Sequence, residues 1–229
     1  MTTHEAIQRL TNPIYRALTT RHVGFVQREG AILRYRPEVL PFASIERAGT
    51  ELQADQVLSH GTVFFCDVLP KIVGESFTKQ AFQVPQMLYV GQRHSTKSMP
   101  NEVELTLADA AAMLDLTDAA FPGFFRAQTS LLGRYIGLSE DNLLIAMAGE
   151  RFRVPGLWEI SAVCTRPGHT GKGYAAHLMR RLIKNSHDQE QPFLHVAGDN
   201  TRAIALYERI GFIHLRTIEV LRVSKVDAN

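Results

Sequence analysis

The segment that most constrains the fold is 193–212, which places a strand, a polar turn, a helix and a helix-ending glycine in close succession. The apolar residues 193–196 predict a short strand. Asn200 is placed to cap the next helix, because its side chain can accept a hydrogen bond from the first helical turn. The apolar spacing predicts that helix over 201–210, and Gly211 supplies the left-handed residue at which helices often end.

A glycine-rich loop lies upstream, between a strand predicted over 158–165 and a helix predicted over 171–185. The first N–H groups of a helix have no partner within it, and the helix dipole adds partial positive charge there. Gly171 and Gly173 would let a diphosphate approach the backbone, because glycine has no Cβ in the way. Lys172 adds a further donor, so the loop predicts an anion site.

Other phosphate-binding motifs fit this loop less well. Residues 171–176 match the dinucleotide pattern G-x-G-x-x-A, and Asp199 follows the next strand. However, the predicted strand ends near Thr165, whereas a dinucleotide turn follows its strand at once. The chain after Asp199 is also too short for the rest of a doubly wound sheet. A nucleotide P-loop fails because glycine follows Lys172. A plain turn is the remaining alternative, and the paired segment 193–212 disfavours it.

Composition limits the class of protein. The 229 residues suit one large domain or two small ones, and a hydrophobic fraction of 45% can fill a core. A formal charge of +2 gives no reason to expect a nucleic acid or a membrane surface as partner. We see neither a membrane-spanning apolar run nor a secretory signal. Cys66 and Cys164 make no disulfide framework and no zinc signature, so we predict a cytoplasmic protein without a metal.

The polar segment 91–102 is the best linker candidate, and it divides the chain into an N-terminal accessory domain, 1–100, and a second domain, 101–229. The first part carries no chemical motif. The helical and extended patterns predict a helix over 13–27, strands over 62–69 and 80–90, a strand over 103–105, a helix over 107–121, a hairpin of 134–138 with 143–147, a turn over 151–155, and a strand pair within 212–223.

Residues 103–229 resemble the GNAT superfamily of acyl-CoA-dependent N-acyltransferases, and within it the glycine N-acyltransferase-type C-terminal domains. The family's glycine loop, Arg/Gln-Gly-x-Gly-x-Gly/Ala, corresponds to 170–175 here, where Thr170 replaces the usual Arg or Gln. Glu159 stands where a family glutamate often begins the central strand. The family's second signature, an asparagine, alanines, a tyrosine and Gly-Phe, corresponds to Asn200, Ala203, Ala205, Tyr207, Gly211 and Phe212.

This resemblance implies an α+β fold with a mixed, mostly antiparallel, splayed central sheet flanked by helices. The first 100 residues are expected to form an N-terminal α/β accessory domain. One interpretation of this domain is a degenerate half of the same fold. It implies acetyl-CoA as acyl donor, with its pantetheine arm between the central strand and the strand at 193–196. The implied cofactor-binding residues are Val163, Cys164, Thr165, Thr170, Gly171, Lys172, Gly173, Tyr174, Ala175, Asn200, Ala203 and Tyr207.

Two residues are candidates for the chemistry. By its match to the family tyrosine, Tyr207 is the candidate acid toward the departing CoA thiolate, and the alternative is a tyrosine that packs its helix and hydrogen-bonds the sulfur. Glu159 is the candidate base toward the amine, directly or through a water, and the alternative is a surface carboxylate at a strand start.

A small amine or amino-acid-like acceptor is expected, and a homodimer is left open. A non-catalytic acyl-CoA-binding module is the alternative function.

Several reactive or aromatic residues are predicted to be structural. Cys164 is expected to be a core residue and not a nucleophile. The histidines lie on different predicted elements with no carboxylate pattern around them, so we do not expect metal ligands among His169, His177 and His195. Three phenylalanines after the helix 107–121 are interpreted first as packing residues and second as a wall of the acceptor pocket: Phe121, Phe124 and Phe125.

Overall fold

A computed structural model describes residues 1–93, 96–185 and 190–226. The predicted linker and the end of the predicted second domain each include residues outside these ranges. The helices are α1 (Thr3–Leu10), α2 (Pro13–Thr19), α3 (Ala54–Val57), α4 (Ala110–Ala120), α5 (Tyr174–Lys184) and α6 (Thr201–Ile210). The strands are β1 (Val26–Glu29), β2 (Ile32–Tyr35), β3 (Ala43–Ser44), β4 (Glu51–Gln53), β5 (Val63–Cys66), β6 (Lys71–Val73), β7 (Phe77–Tyr89), β8 (Glu102–Leu105), β9 (Tyr135–Glu140), β10 (Leu143–Val154), β11 (Leu157–Thr165), β12 (Gln191–His195) and β13 (Phe212–Lys225).

One large sheet organises the chain. Its eight strands run in the order β5-β13-β7-β12-β11-β10-β9-β8. The β11–β12 pair is parallel and the other pairs are antiparallel. The predicted mixed, mostly antiparallel α+β fold is therefore confirmed. Strands β5 and β7 come from the first 100 residues, and smaller sheets, β1-β2-β3 and β4-β6, accompany them. The domain boundary at residue 100 stays a prediction.

Apolar side chains cover both faces of this sheet. Helices α5 and α6 pack on one face, where Leu178 and Tyr207 join a cluster with Trp158 of the central strand. Helices α1 and α2 cover the other face, where Leu10 and Ile14 join a cluster with residues of β10 and β12. Successive residues of a strand point to opposite faces, so each strand contributes to both clusters. None of the described helices has the length and apolar character needed to cross a membrane.

Local sequence signals explain several element ends. Asn200 caps α6 as predicted, since its Oδ1 accepts a hydrogen bond from the Ala203 N–H at 3.1 Å. Gly211 ends the helix with a φ of 117°. Asp141 and Asn142 both have positive φ, 50° and 62°, and turn β9 into β10. The helix α6 and the predicted β9–β10 hairpin are therefore confirmed.

Three predicted elements are wrong. The helix predicted over 13–27 ends at Thr19, where two threonine hydroxyls donate back to carbonyls of the last turn. The turn predicted over 151–155 is mostly strand, because β10 continues to Val154 and the chain reverses at Pro155-Gly156. The strand pair predicted within 212–223 is the single strand β13, which contains no turn residue and pairs along the whole of β7.

Candidate active site

The central strand β11 separates from its parallel neighbour β12. Their register runs only from Leu157 opposite Gln191 to Glu159 opposite Phe193. Beyond this point β11 continues to Thr165 along β10, while β12 continues along β7. The two strands therefore open a gap toward their carboxyl ends, between Val163–Thr165 of β11 and the end of β12.

A bulge lies beside this gap. The β10–β11 register shifts between Met147 opposite Cys164 and Gly149 opposite Ser161. Ala162 is the extra residue, with a φ of 52° that residues other than glycine seldom adopt. The bulge breaks the strict alternation along β11. It turns local backbone groups out of the sheet ladder, where they can bond a ligand.

The glycine loop begins at Gly168, three residues after the end of β11, and leads into α5. Gly168, Gly171 and Gly173 have φ values of 88°, 82° and 82°, and Gly173 stands immediately before the helix. A Cβ built at Gly171 or Gly173 would meet no protein atom within 4 Å. The positive φ, and not crowding by the protein, therefore calls for glycine there. The exposed loop leaves the first N–H groups of α5, from Tyr174 onward, directed at open space.

Thr170 is exposed in this loop and leaves its family position without a long donor. Two nearby cations could replace that donor. Arg166 is already engaged, since its guanidinium bonds Asp115 and donates to the Leu144 carbonyl at 3.2 Å. Lys172 lies with its Nζ 5.9 Å from the Tyr174 ring centroid. Lys172 is therefore the more available cation beside the loop.

Tyr207 of α6 belongs to the same apolar cluster against which Val163, Tyr174 and Ala203 pack. The structure thus brings the central strand, the glycine loop and the second signature together on one face of the sheet. The ring is 8% exposed. Burial, with a smaller effect of Cys164, raises the pKa of Tyr207 to about 12. The phenol is therefore protonated at neutral pH and able to donate a hydrogen bond.

Cys164 lies on the other side of β11, in a cluster with Phe125 and Met113. Burial raises the pKa of its thiol to about 12, so the thiol stays protonated. Its predicted core role is confirmed. Phe124 packs against Phe64, with ring centroids 4.6 Å apart. Packing is thus observed for Phe124 and Phe125, while an acceptor wall stays a prediction.

Glu159 is fully buried, so the alternative of a surface carboxylate is wrong. Arg151 holds it in a bidentate pair, with Nε 2.8 Å from Oε2 and Nη2 2.7 Å from Oε1. His195 Nδ1 lies 2.7 Å from Oε1, and the Phe152 N–H also donates to the carboxylate. Burial alone would raise the pKa of Glu159. The charge and hydrogen bonds of Arg151, together with the hydrogen bond of His195, outweigh burial and lower this pKa to about 2.

The polar chain continues across the sheet beyond His195. The Nε of Arg216 donates to Gln86 Oε1 at 3.0 Å, which directs the Gln86 amide nitrogen at His195 Nε2, also 3.0 Å away. An amide N–H₂ can only donate, so His195 accepts at Nε2 and carries its proton on Nδ1, toward Glu159. Arg216 in turn pairs with Asp67 at 2.8 Å. Glu159 is thus one member of a buried polar chain.

The expectation that the histidines lack carboxylate neighbours is wrong. His195 contacts Glu159, His177 Nε2 lies 2.9 Å from Glu102, and His169 Nδ1 lies 3.3 Å from Glu140. The strands and helices bring these pairs together across long sequence separations, which spacing alone does not reveal. Within the described ranges, no group of three or more metal-ligating side chains occurs.

Sequence reasoning missed Arg151, His195 and Gln86 as neighbours of Glu159. One signal was present for Arg151. Pro155-Gly156 predicts a two-residue hairpin turn, which pairs Val154 with Leu157 and brings the residues near 151 opposite Glu159. No local pattern links Gln86, which is fully buried on β7, to this site.

A family model described as FR47-like protein matches residues 135–221. Among curated proteins, the chain is similar to the N-alpha-acetyltransferase RimI of Mycobacterium tuberculosis (strain ATCC 25618 / H37Rv). The two are 31% identical over 137 residues, which cover 54% of this chain and 85% of that protein. The residues matched by the family model include the segments that carry the gap, the glycine loop and Tyr207.

Solved structures share the architecture over nearly the whole chain. A putative acetyltransferase of the GNAT family from Novosphingobium aromaticivorans DSM 12444 superposes with a TM-score of 0.81 at 28% identity, covering 95% of this chain and 98% of that one. A GCN5-related N-acetyltransferase from Kribbella flavida superposes with a TM-score of 0.60 at 13% identity, covering 96% of each chain. The second similarity supports the fold alone.

Proposed function

The chain belongs to the GNAT superfamily of acyltransferases, and we propose that it transfers an acetyl group from acetyl-CoA to a primary amine. The observation that carries this proposal is the gap between β11 and β12, flanked by the Ala162 bulge, the glycine loop and Tyr207. An extended, partly polar arm that is attached to a diphosphate fits such an arrangement.

The donor would bind along β11. Backbone groups of Val163, Cys164 and Thr165 would pair with the amides of the pantetheine arm, as an added strand would. The diphosphate would lie on residues 170–175, at the N-terminus of α5. Backbone N–H groups beside the bulge would stabilise the thioester oxygen as it gains charge. Asn200 and Ala203, at the start of α6, would complete the cofactor-binding surface.

Tyr207 would donate to the CoA sulfur as the thiolate leaves. A phenol with a pKa of about 12 lies above a thiol of pKa about 8.5, so full proton transfer to the thiolate is uphill by on the order of 5 kcal/mol. A hydrogen bond needs no full transfer. The acid role of Tyr207 is therefore a hydrogen bond that strengthens as the sulfur gains charge.

Glu159 would support the site and not take the proton directly. A carboxylate with a pKa of about 2 would accept a proton from an ammonium of pKa about 8 only against on the order of 8 kcal/mol. Its oxygens are also occupied by Arg151, Phe152 and His195. We therefore propose that Glu159 fixes the end of the gap, and that the amine enters the site in its neutral form, after it has released its proton to the solvent.

This assignment favours an α-amino group as acceptor. Without a strong base, the reactive fraction is set by the amine itself. An α-amino group of pKa about 8 is about a tenth neutral at pH 7, whereas a lysine side chain of pKa about 10.4 is neutral at well under a thousandth. The similar protein from M. tuberculosis is named an N-alpha-acetyltransferase, which agrees with this choice. A peptide N-terminus would meet the requirement.

The second candidate function is a non-catalytic acyl-CoA-binding module. The observation that favours it is the ion pair of Glu159. This residue stands at the position of the family glutamate, but its carboxylate is held in a buried pair with Arg151 and is a poor base. Tyr207 favours the enzyme, because a binding module has no need of a donor to the leaving sulfur.

The experiment is an assay of free thiol release from acetyl-CoA with amino acids, a short peptide with a free N-terminus, and the same peptide N-acetylated but carrying a lysine. We expect thiol release with an α-amine and little with the lysine peptide. Binding of acetyl-CoA without turnover on any amine would favour the binding module. No binding of acetyl-CoA would contradict both functions.

The remaining assignments belong to the same proposal. Residues 1–100 would form an accessory layer that completes the large sheet through β5 and β7. A cytoplasmic location fits two buried cysteines that are both free thiols. A homodimer stays a prediction, to be checked by the mass of the protein in solution.

A further inference from the structure

A cleft of about 750 Å³ lies between the N-terminal helices and the β10–β11 hairpin. We call it the arginine cleft and define it by Arg9, Arg21, His22, Arg153 and Glu190. The hairpin turn at its edge precedes β11, whereas the glycine loop follows the other end of that strand. The arginine cleft is therefore separate from the candidate active site.

Positive charge dominates the walls of the cleft. Arg21 and Arg153 share the carboxylate of Glu190, at 3.2 and 2.6 Å, and Arg153 also lies 3.9 Å from Glu150. Arg9 donates to the Pro155 carbonyl at 3.2 Å. Within the described residues Arg9 makes no salt bridge, although its charge reaches Glu5 one helical turn earlier on α1. Three guanidinium groups thus lie near two carboxylates in the cleft, and Arg9 makes no direct salt bridge that an incoming anion would have to displace.

The guanidinium of Arg9 lies against the hairpin turn. A Cβ built at Gly156 would lie 2.4 Å from Nη1 of Arg9, and Gly156 has a φ of 81°. The absence of a side chain at this turn leaves the space that the guanidinium occupies. The planar fork of a guanidinium matches a carboxylate or a phosphate.

His22 adds a buried donor to the same wall. Its side chain is almost fully buried, and Nδ1 lies 2.8 Å from the Tyr35 hydroxyl. Burial, with the charge of Arg153, lowers the pKa of His22 to about 4, so the ring is neutral at pH 7. The buried Tyr35 phenol finds its acceptor in Nδ1, which leaves the proton of the ring on Nε2. Nε2 has no hydrogen-bond partner among the described residues, and a buried donor left unpaired is unfavourable.

We propose that the arginine cleft binds a small organic anion that carries a carboxylate or a phosphate. Arg9 and Arg21 hold the anionic group, and His22 pairs with a polar atom of the ligand that reaches the inner wall. Phe25 and Leu132, which also line the cleft, pack against its apolar part. This site does not depend on the proposed acetyl transfer.

The test is calorimetric titration with inorganic phosphate and with citrate, at constant ionic strength set by chloride. Each titration is made with and without saturating CoA, which would occupy the glycine loop and remove phosphate binding there. The variants are Arg9→Gln and Arg21→Gln. The matched control is Arg28→Gln, which removes the same charge from an exposed position on β1. Thermal melting verifies that each variant is folded.

We expect wild type to bind at least one of the two anions, and either cleft variant to weaken that binding at least fivefold while Arg28→Gln leaves it unchanged. Preference for phosphate or for citrate identifies the anionic group. Absence of binding above the chloride background overturns the proposal, as does equal binding by wild type and both cleft variants, or equal weakening by the control. A failure of acetyl-CoA to bind would affect only the proposed function, because the cleft is measured without CoA as well.

Discussion

His195 on β12 donates its Nδ1 proton to Glu159 on β11, with Nδ1 and Oε1 2.7 Å apart. The pair joins the two strands at the last point of their parallel register, just before they separate. Arg151 supplies the opposite charge from β10. The buried group of Glu159, His195 and Arg151 therefore closes the gap between β11 and β12 at one end and fixes where the opening begins.

Replacement of Glu159 by Gln should strongly destabilise the fold. The amide would leave the buried Arg151 without its counter-charge, and removal of one partner of a buried pair costs about 3 to 5 kcal/mol. Urea unfolding at pH 7 measures this change in the free energy of unfolding. Glu46→Gln, at an exposed position, is the control and should change it by less than about 0.5 kcal/mol.

Acid should remove the same stabilisation from wild type. The pKa of Glu159 in the folded chain, about 2, lies below its ordinary 4.5. The carboxylate therefore stabilises the fold fully above about pH 5 and loses this contribution, on the order of 3 kcal/mol, as the pH falls toward 2. Unfolding free energies measured from pH 6 to 3 should fall less steeply in Glu159→Gln. Equal slopes would show that Glu159 is not the group responsible.

Tyr207→Phe should lower turnover by roughly 10- to 10³-fold and leave the affinity for CoA nearly unchanged, because a bond to the leaving thiolate matters mainly in the transition state. The change keeps the ring in its apolar cluster. Thiol release under single-turnover conditions measures chemistry without product release. Tyr15→Phe, far along the chain on α2, is the control. Unaltered single-turnover rates in Tyr207→Phe would remove the hydroxyl from the mechanism.

Local signals were sufficient to predict much of the fold and of one face of the site. Asn200 and Gly211 bound α6 as their cap chemistry requires, and the glycines after β11 lie at positive φ before α5. These features depend on residues close in sequence. The alternation along β11 also placed Glu159 on one face, although the bulge at Ala162 interrupts that alternation further on.

The environment of Glu159 could not be predicted in the same way. Its partners Arg151, His195 and Gln86 come from three other strands, and their approach depends on hairpin register and strand order. The bulge at Ala162 and the separation of β12 shift that register by amounts that no local pattern encodes. The arginine cleft was missed for the same reason, because Arg9 and Gly156 meet only in the folded chain.

The pH dependence of turnover should follow the acceptor and not the enzyme. If the amine binds in its neutral form, kcat/KM should rise about tenfold per pH unit below the pKa of the amine and level off above it. Two peptides whose N-terminal amines differ in pKa should give profiles displaced by that difference. Thiol release between pH 6 and 9.5 measures both. Profiles that coincide for the two peptides would indicate an enzyme base instead.

Gly173→Ala should separate backbone strain from loss of the ligand site. The residue has a φ of 82°, so alanine there costs about 1 kcal/mol of folding free energy in the absence of any ligand. A Cβ at Gly173 meets no protein atom within 4 Å, so any loss of ligand affinity must come from contact with a bound group.

Gly49, with a φ of 75° and the same open surroundings, supplies the matched control, because Gly49→Ala introduces equal strain in the N-terminal layer. We expect both variants to lower the melting temperature by similar amounts. Calorimetry should show acetyl-CoA affinity at least tenfold weaker in Gly173→Ala and unchanged in Gly49→Ala. Equal acetyl-CoA affinities in the two variants would place the diphosphate elsewhere and contradict the assignment of the loop at 170–175.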